Sequence, residues 1–443
     1  MRFKGILYFL IVYMIIGVFS VYADDLIKED IDYTELTKQL KMFEKEYSDI
    51  LSVYSIGKSC DNRDLWVAKL GKSNIGIIII GAIHARERIT AKVLLQNIKD
   101  YCKAYKEGVS FEGYNLKELL DKASIYFIPM TNPDGVDYTF YGKKAVRDKN
   151  LLKNLKNIRV KKDPSWKSNI MDWKANIRGI DLNRQWNVLW GIPSRFIRRR
   201  PSNDHFQGFK PHSEPEVKAL EQFTLNTPCL GYYAYHTQGS VLFWYKNQKG
   251  IYLDEVYDIT RGLKNITGFK PIPKLSKSLR YWDTRMGYAD WTAYKLKKPS
   301  ITLELAWNGY DEKRDFKKIY LSVKKVPLYL LKKAIDYSKF YNVEVYKEDK
   351  LVQLFRDLND AKIYIEKFIK DKFDREVKVF ENGALVLTLN EKKQNLKVNL
   401  NIVKEKINKI EDDMNVLIMK PEDFAKIKHQ IMVIKILFSF GKM

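Results

Sequence analysis

Cysteine is scarce in this sequence, with only Cys60, Cys102 and Cys229 among 443 residues. The odd number leaves at least one thiol that cannot pair within the chain, and zinc-ligand spacings such as Cys-x-x-Cys are absent. The sequence therefore does not indicate a disulfide framework. Buried thiols are the preferred interpretation of all three residues.

Long apolar runs, internal repeats and low-complexity linkers are also lacking beyond the N-terminus. Residues 1–23 place Arg2 and Lys4 before an apolar run and end in Val-Tyr-Ala, which predicts a secretory signal cleaved after Ala23. An uncleaved membrane anchor is the alternative, because the eighteen residues from Ile6 to Ala23 can just span a bilayer. We expect a secreted or cell-surface protein.

Acidic residues are in deficit, with 54 Asp and Glu against 78 Lys and Arg and a formal net charge of +24. In an exported protein this charge favours an anionic cell-wall polymer or a membrane surface as a partner, and we expect no nucleic-acid partner. A general compositional bias toward Lys, Ile, Asn and Tyr is the alternative explanation. We expect a monomer.

The apolar content, 45%, is sufficient for one large domain and a smaller one. We predict a catalytic domain over residues 24–341, closed by a helix near Lys317 to Tyr341. Residues 342–443 show more alternation of apolar and polar residues, with a helix from Leu358 to Phe373 and a hairpin turn at Asn382-Gly383. This pattern predicts a small C-terminal α+β region of unknown role.

The most informative residues are polar side chains at the ends of apolar, β-prone runs. In open α/β sheets the carboxyl ends of the strands form the crevice where ligands bind. We therefore expect these runs to bring their polar residues to one place. His84 and Glu87 follow Ile75–Ile80, His236 follows Leu230–Tyr235, and Glu304 lies within Ile301–Leu305.

His84, Glu87 and His236 make a candidate zinc site. Catalytic zinc takes three protein ligands, from His and carboxylate side chains, at about 2.0–2.2 Å and keeps a fourth position for water. The spacing lets His84 and Glu87 point to the same side of one tight turn. Each signal is weak alone, because His-x-x-Glu also arises by chance on surfaces and a lone strand-end His is more often a satisfied buried residue.

Several motifs follow one another along the chain. They are His84-x-x-Glu87, Thr131 to Gly135 (TNPDG), Asn183-Arg184, Ser213 to Glu216 (SEPE), His236 and Glu304. Their order resembles the zinc metallocarboxypeptidase family, over about residues 30–335. The tract WKANIRGIDLNR, which contains Asn183-Arg184, looks most like the branch that cleaves γ-D-glutamyl-diaminopimelate bonds in bacterial peptidoglycan.

The resemblance implies an α/β fold, a doubly wound mixed sheet with helices on both faces, and one zinc ion held by His84, Glu87 and His236. It also implies that Glu304 is the general base, which takes a proton from the attacking water and returns it to the leaving amine. An edge-strand carboxylate without a role is the alternative for Glu304. A buried unpaired carboxylate would be costly, which argues against that alternative.

The resemblance further implies roles for three residues of the WKANIRGIDLNR tract. Arg178 would stabilise the oxyanion that develops in the transition state. Asn183 and Arg184 would bind a substrate carboxylate, since the guanidinium group matches a carboxylate in two parallel hydrogen bonds. Solvated surface charge is the alternative for both arginines in so basic a chain.

Two more residues fall where relatives line the substrate pocket. The family usually carries a mobile Tyr eight residues before the Asp of an Asp-Trp pair, but here that position is Trp282 and Tyr281 is its neighbour. Tyr281 is therefore a candidate to cover the substrate. Arg285, five residues before Asp290, would suit an acidic substrate, with an exposed loop arginine as the alternative.

We therefore predict a secreted zinc metallopeptidase that hydrolyses peptidoglycan stem peptides, at the γ-D-glutamyl-diaminopimelate bond. A general metallocarboxypeptidase that removes C-terminal amino acids from peptides is the first alternative. A non-catalytic wall- or peptide-binding protein on the same fold is the second. A binding protein has no need of a general base, so Glu304 argues against it.

Overall fold

A computed structural model describes residues 25–158, 160, 171–188, 190–191, 197–245, 251–274, 287–309, 311–365, 367, 377–390 and 395–398. The predicted signal, residues 1–23, lies outside these ranges. Within them, no helix combines the length and the apolar character needed to cross a membrane.

An eight-stranded mixed sheet forms the centre of the described chain. In chain order the strands are β1 Leu51–Lys58, β2 Asp64–Leu70, β3 Gly76–Ile80, β4 Ser110–Phe111, β5 Tyr114–Asn115, β6 Ser124–Ile128, β7 Cys229–Thr237, β8 Val241–Tyr245, β9 Lys270–Lys274 and β10 Ser300–Leu305. The sheet order is β1-β2-β6-β3-β7-β10-β8-β9, and β4 and β5 form a separate pair. The four central strands β6, β3, β7 and β10 run parallel, so their carboxyl ends share one edge.

Helices cover both faces of this sheet. They are α1 Tyr33–Glu46, α2 Arg88–Glu107, α3 Leu116–Lys122, α4 Pro133–Tyr141, α5 Lys149–Asn154, α6 Pro215–Leu225, α7 Ile251–Thr267, α8 Tyr288–Leu296, α9 Glu312–Val323 and α10 Val326–Ser338. Side chains alternate along β3, so Ile77 and Ile79 join the core with α1, α2 and α10, whereas Ile78 and Ile80 join the core with α6 and α8. The predicted doubly wound α/β fold is confirmed.

The closing helix predicted from Lys317 to Tyr341 is wrong as a single element. Helix α9 ends at Val323 and α10 begins at Val326. Pro327 stands in the first turn of α10, where its missing N–H leaves no bond unmade. Inside one continuous helix the same proline would remove a hydrogen bond and clash with the preceding turn.

A five-stranded antiparallel sheet follows, in the order β12-β11-β13-β14-β15. Its elements are β11 Val343–Lys347, β12 Lys350–Phe355, α11 Leu358–Tyr364, β13 Val377–Glu381, β14 Ala384–Asn390 and β15 Asn395–Val398. Asn382 and Gly383 have φ values of 51° and 77°, as the predicted hairpin turn requires. Buried residues of β11 and β12 pack in the same core as Trp291 of α8. The domain boundary at residue 341 remains a prediction.

Candidate active site

The parallel strands β7 and β10 bring His236 and Glu304 side by side. Glu304 is the register partner of His236, so the two side chains point to the same face of the sheet. Tyr235, Leu303 and Leu305 point to the other face and pack in the core with α2 and α10. Glu304 is half-buried, whereas both flanking leucines are fully buried.

The loop after β3 brings His84 and Glu87 to the same place as His236. Glu87 Oε1 lies 2.7 Å from His84 Nδ1, and Glu87 Oε2 lies 2.8 Å from His236 Nδ1. The two Nδ1 atoms are 3.1 Å apart. All three residues are at most 3% exposed, and their donor atoms can share one metal ion.

This donor set fits a zinc ion. Two imidazole nitrogens and one carboxylate are a standard catalytic zinc set. The other ring nitrogen of His84, Nε2, lies 3.2 Å from Asp181 Oδ1. A carboxylate on the far side of a ligand histidine fixes the ring orientation and its tautomer. Sequence reasoning missed Asp181, although it stands directly before Leu182-Asn183-Arg184 in the tract that carried the resemblance.

Burial and neighbouring side chains shift the pKa values of His84 and Glu87. Burial lowers the pKa of His84, which favours the neutral imidazole that a metal ion needs. Burial alone would raise the pKa of Glu87, but the adjacent His84 and His236 hold that pKa well below its usual value. Glu87 is therefore an ionised carboxylate between two imidazoles.

Asn183 reaches the site from a short turn at Leu182–Arg184. Its Nδ2 lies 3.4 Å from His236 Nε2, and its Oδ1 accepts a hydrogen bond from the Tyr288 N–H at the start of α8. A Cβ at Gly287 would lie 2.3 Å from Asn183 Oδ1, so only glycine permits this approach. The structure thus places Asn183 beside the candidate ligand His236, and the part of Asn183 in binding a substrate carboxylate remains a prediction.

The two arginines of the tract lie in different surroundings. Against the effect of burial, His84 and then the charge of Arg184 lower the pKa of Asp181, so the half-buried Arg184 lies near the histidine site. The Arg178 side chain is 42% exposed, and its Nη1 lies 3.6 Å from Glu214 Oε2. No contact found in the described chain joins Arg178 to the two histidines.

Lys174 is a basic residue near the histidine site that sequence reasoning missed. Its carbonyl oxygen accepts a hydrogen bond from the N–H of Ala85, the residue after His84, at 3.2 Å. Burial lowers the pKa of Lys174, and the charges of Asp181 and Glu87 raise it. Because both carboxylates belong to the histidine site, the Lys174 amine lies near that site.

Tyr281 and Arg285 lie outside the described residues. Their proposed parts, in covering the substrate and in selecting an acidic one, remain predictions. The side chains that the structure does bring together are His84, Glu87, Asp181, Asn183, His236 and Glu304.

Comparison with known proteins gives one family. A sequence model described as zinc carboxypeptidase matches residues 36–311, more than half of the chain. The uncharacterized protein YqgT of Bacillus subtilis is 31% identical over 59% of this chain and 68% of its own length. Gamma-D-glutamyl-L-diamino acid endopeptidase 1 of Lysinibacillus sphaericus is 26% identical over 63% of this chain and 66% of its own length, so the match spans slightly less than two thirds of that enzyme.

A solved structure supports the fold. Bovine thrombin-activatable fibrinolysis inhibitor, in complex with tick carboxypeptidase inhibitor, aligns with a TM-score of 0.52 and 21% identity. The alignment covers 70% of this chain and 99% of the bovine chain. At this identity the likeness concerns the fold alone.

Proposed function

The chain belongs to the zinc carboxypeptidase family, and from that premise we propose that it is a secreted zinc-dependent peptidase that hydrolyses the γ-D-glutamyl-diaminopimelate bond of peptidoglycan stem peptides. The observation that carries the peptidase activity is the convergence of His84, Glu87 and His236, with Glu304 on the neighbouring strand. Similarity to the Lysinibacillus endopeptidase supports this bond.

His84, Glu87 and His236 would hold the zinc ion. Bound zinc lowers the pKa of its water toward about 7 and polarises the carbonyl of the scissile amide. The surrounding residues keep the ligands in place. Asp181 fixes the His84 ring from Nε2, and Asn183 does the same for His236 while it anchors the N-terminus of α8.

Glu304 would act as the general base. It is the register partner of His236 on β10, and it shares the sheet face of that ligand. A half-buried carboxylate there can take a proton from the attacking water and pass it to the leaving amine, while its partial exposure leaves it open to substrate. This transfer contributes about 10²–10⁴-fold in rate in enzymes generally.

Basic side chains around the metal ligands would bind the negatively charged groups of the substrate. Arg184 and Asn183 would bind a substrate carboxylate, and a stem peptide offers the α-carboxylate of D-glutamate and those of diaminopimelate. Arg178 is the sequence-based candidate for the oxyanion, and the position of Lys174 makes it a second candidate. Arg285 would add a further preference for acidic substrates.

Mass spectrometry of peptide digests tests the proposal. The zinc-loaded full chain is incubated with L-Ala-γ-D-Glu-diaminopimelate peptides and, separately, with a panel of ordinary peptides. The Glu304→Gln variant serves as the matched control, because it keeps the shape of the side chain and removes the base. We expect release of the diaminopimelate-containing fragment by the wild type and little or none by the variant.

Other results would change the assignment. Trimming of ordinary peptides from the C-terminus, with the stem peptide intact, would indicate a general metallocarboxypeptidase. Retention of zinc and substrate binding without any cleavage would indicate a binding protein. N-terminal sequencing of material from the culture medium checks secretion, and we expect a mature chain that begins at Asp24.

A further inference from the structure

Three acidic donor groups from separate elements meet outside the histidine site. Cys60 lies in the turn between β1 and β2, Asp134 in the first turn of α4, and Glu216 in the first turn of α6. One donor atom of each lies within 4.8 Å of the others. Cys60 Sγ is 3.3 Å from Asp134 Oδ2. A sulfur and an oxygen that share a tetrahedral zinc ion lie about 3.6 Å apart, so the pair needs little adjustment.

Glu216 supplies a second and independent observation. The residue is fully buried, at 0% exposure, and its Oε1 accepts a hydrogen bond from the Cys60 N–H at 3.1 Å. Its Oε2 is also buried, and it has no hydrogen-bond partner among the described residues. A buried acceptor without a partner costs about 1–3 kcal/mol, which a cation at this position would offset.

We propose that Cys60, Asp134 and Glu216 form a second metal site, which takes a divalent cation of the zinc type. A thiolate with two carboxylates suits zinc, which accepts sulfur and oxygen ligands together. Calcium and magnesium prefer oxygen ligands only and do not gain from Cys60. This site does not depend on the proposed peptidase function.

The charge balance of the cluster is compatible with this ion. Burial raises the pKa of the Cys60 thiol well above its usual value, and burial with the charge of Asp134 raises the pKa of Glu216 to about 7. One dication can replace the thiol proton and the Glu216 proton, which leaves the net buried charge unchanged. Arg63 Nη1 stays on Asp134 Oδ1, at 2.9 Å. Asp134 Oδ2 lies on the side of Cys60 and also accepts a hydrogen bond from the Asp61 N–H at 2.9 Å, which leaves one of its two lone pairs for the ion.

The ion would join the β1–β2 turn to α4 and α6. Asp134 is followed by Gly135, where a Cβ would lie 2.7 Å from the Ala85 Cβ. Ala85 follows His84, so the residue next to Asp134 packs directly against the loop that holds His84 and Glu87. We infer a structural site, one that stiffens the support of this loop and takes no part in the reaction.

Cobalt titration of the metal-free full chain tests the proposal. Co²⁺ bound to a thiolate gives a ligand-to-metal charge-transfer band in the near ultraviolet, and the His84–Glu87–His236 set contains no thiolate. We expect two bound equivalents in the wild type and this band from one of them. The His236→Ala variant removes a ligand of the first site only, and we expect it to keep the band.

Two variants of the second site complete the design. Cys60→Ser is expected to lose the band and one equivalent of cobalt, and Glu216→Gln to weaken that equivalent at least about tenfold with the thiol intact. Absence of the band in the wild type overturns the proposal, as does its survival in Cys60→Ser. An unchanged cobalt affinity in Glu216→Gln removes Glu216 from the ligand set.

Discussion

The two donor clusters lie along the same edge of the sheet, yet their charges are arranged differently. His84 follows β3 and Asp134 follows β6, and these strands are neighbours. In the histidine cluster one carboxylate stands between two imidazoles, and no Lys or Arg side chain among the described residues is bonded to it. In the cysteine cluster Asp134 already accepts from Arg63 at 2.9 Å and from Ser59 at 2.7 Å.

The histidine cluster therefore needs a metal cation, whereas the cysteine cluster can be stable without one. An ionised carboxylate in a buried place must be paired or bound to metal. Among the described residues, Glu87 contacts the two imidazoles and accepts a hydrogen bond from the Thr237 N–H at 3.3 Å, so a metal ion would complete its site. Asp134 has Arg63, so the second cluster can be stable without metal, and its ion would add stability. The following predictions test this division, and they run from the largest expected effect to the smallest.

Removal of Arg63 tests whether the second cluster carries its own counter-charge. Arg63 is 3% exposed, and its guanidinium bonds Asp61, Asp134 and Asp137. Arg63→Met would remove the guanidinium that pairs with three buried carboxylates. We expect a loss of about 3–5 kcal/mol in the free energy of unfolding. Denaturant unfolding measures this loss.

The matched control for Arg63 is Arg314→Met. Arg314 also pairs with a carboxylate, Asp315, but its side chain is 69% exposed. Solvent screens such an exposed pair, so we expect its loss to change the free energy of unfolding very little. Equal losses in the two variants would show that the buried network around Asp134 has no special weight.

Lys174 and Arg178 form a pair of variants that locates the oxyanion cation. Lys174 lies beside Ala85 and within the field of Glu87 and Asp181, whereas Arg178 is 42% exposed. We expect Lys174→Met to lower kcat about 10²–10³-fold, the usual cost of a lost oxyanion donor. Arg178→Met should cost much less. The reverse order would support the prediction made for Arg178 from the sequence.

Asp181 tests how the first cluster is held. Asp181→Asn keeps the size of the side chain but weakens its contact with His84 Nε2. We expect zinc affinity to fall about 10–100-fold, as for other partners of ligand histidines, which competition with a chelator would measure. Asp204→Asn is the control, because Asp204 contacts His205, which is not among the candidate ligands. A similar fall in the control would mean that surface charge controls the affinity.

The sequence predicted the parts of this molecule that follow from local pattern. The apolar runs before His84 and around His236 and Glu304 became β3, β7 and β10, and the Asn382-Gly383 turn closes a hairpin. These features depend on residues close together in the chain. The order of motifs along the chain was sufficient to predict the family.

Contacts between distant residues that carry no recognised motif at both ends were not predicted. Asp181 meets His84 across 97 positions of sequence, and Cys60 meets Glu216 across 156. No periodicity encodes such pairs, and only the folded sheet brings them together. The split between α9 and α10 is a different kind of error, since Pro327 was visible in the sequence and indicated the break.

Thermal unfolding with added zinc tests the smallest effect, the gain from an ion in the second cluster. In a His236→Ala background, which disables the first cluster, zinc at ten times the dissociation constant of the second site would add about 1.4 kcal/mol. For a chain of this size that corresponds to a rise of about 1–2 °C in Tm. Adding Cys60→Ser to this background should abolish the rise and leave the metal-free Tm almost unchanged, because the Arg63 bond to Asp134 remains. A rise that persists without Cys60 would place the stabilising ion elsewhere, and the division between a required and an optional cation would then not hold.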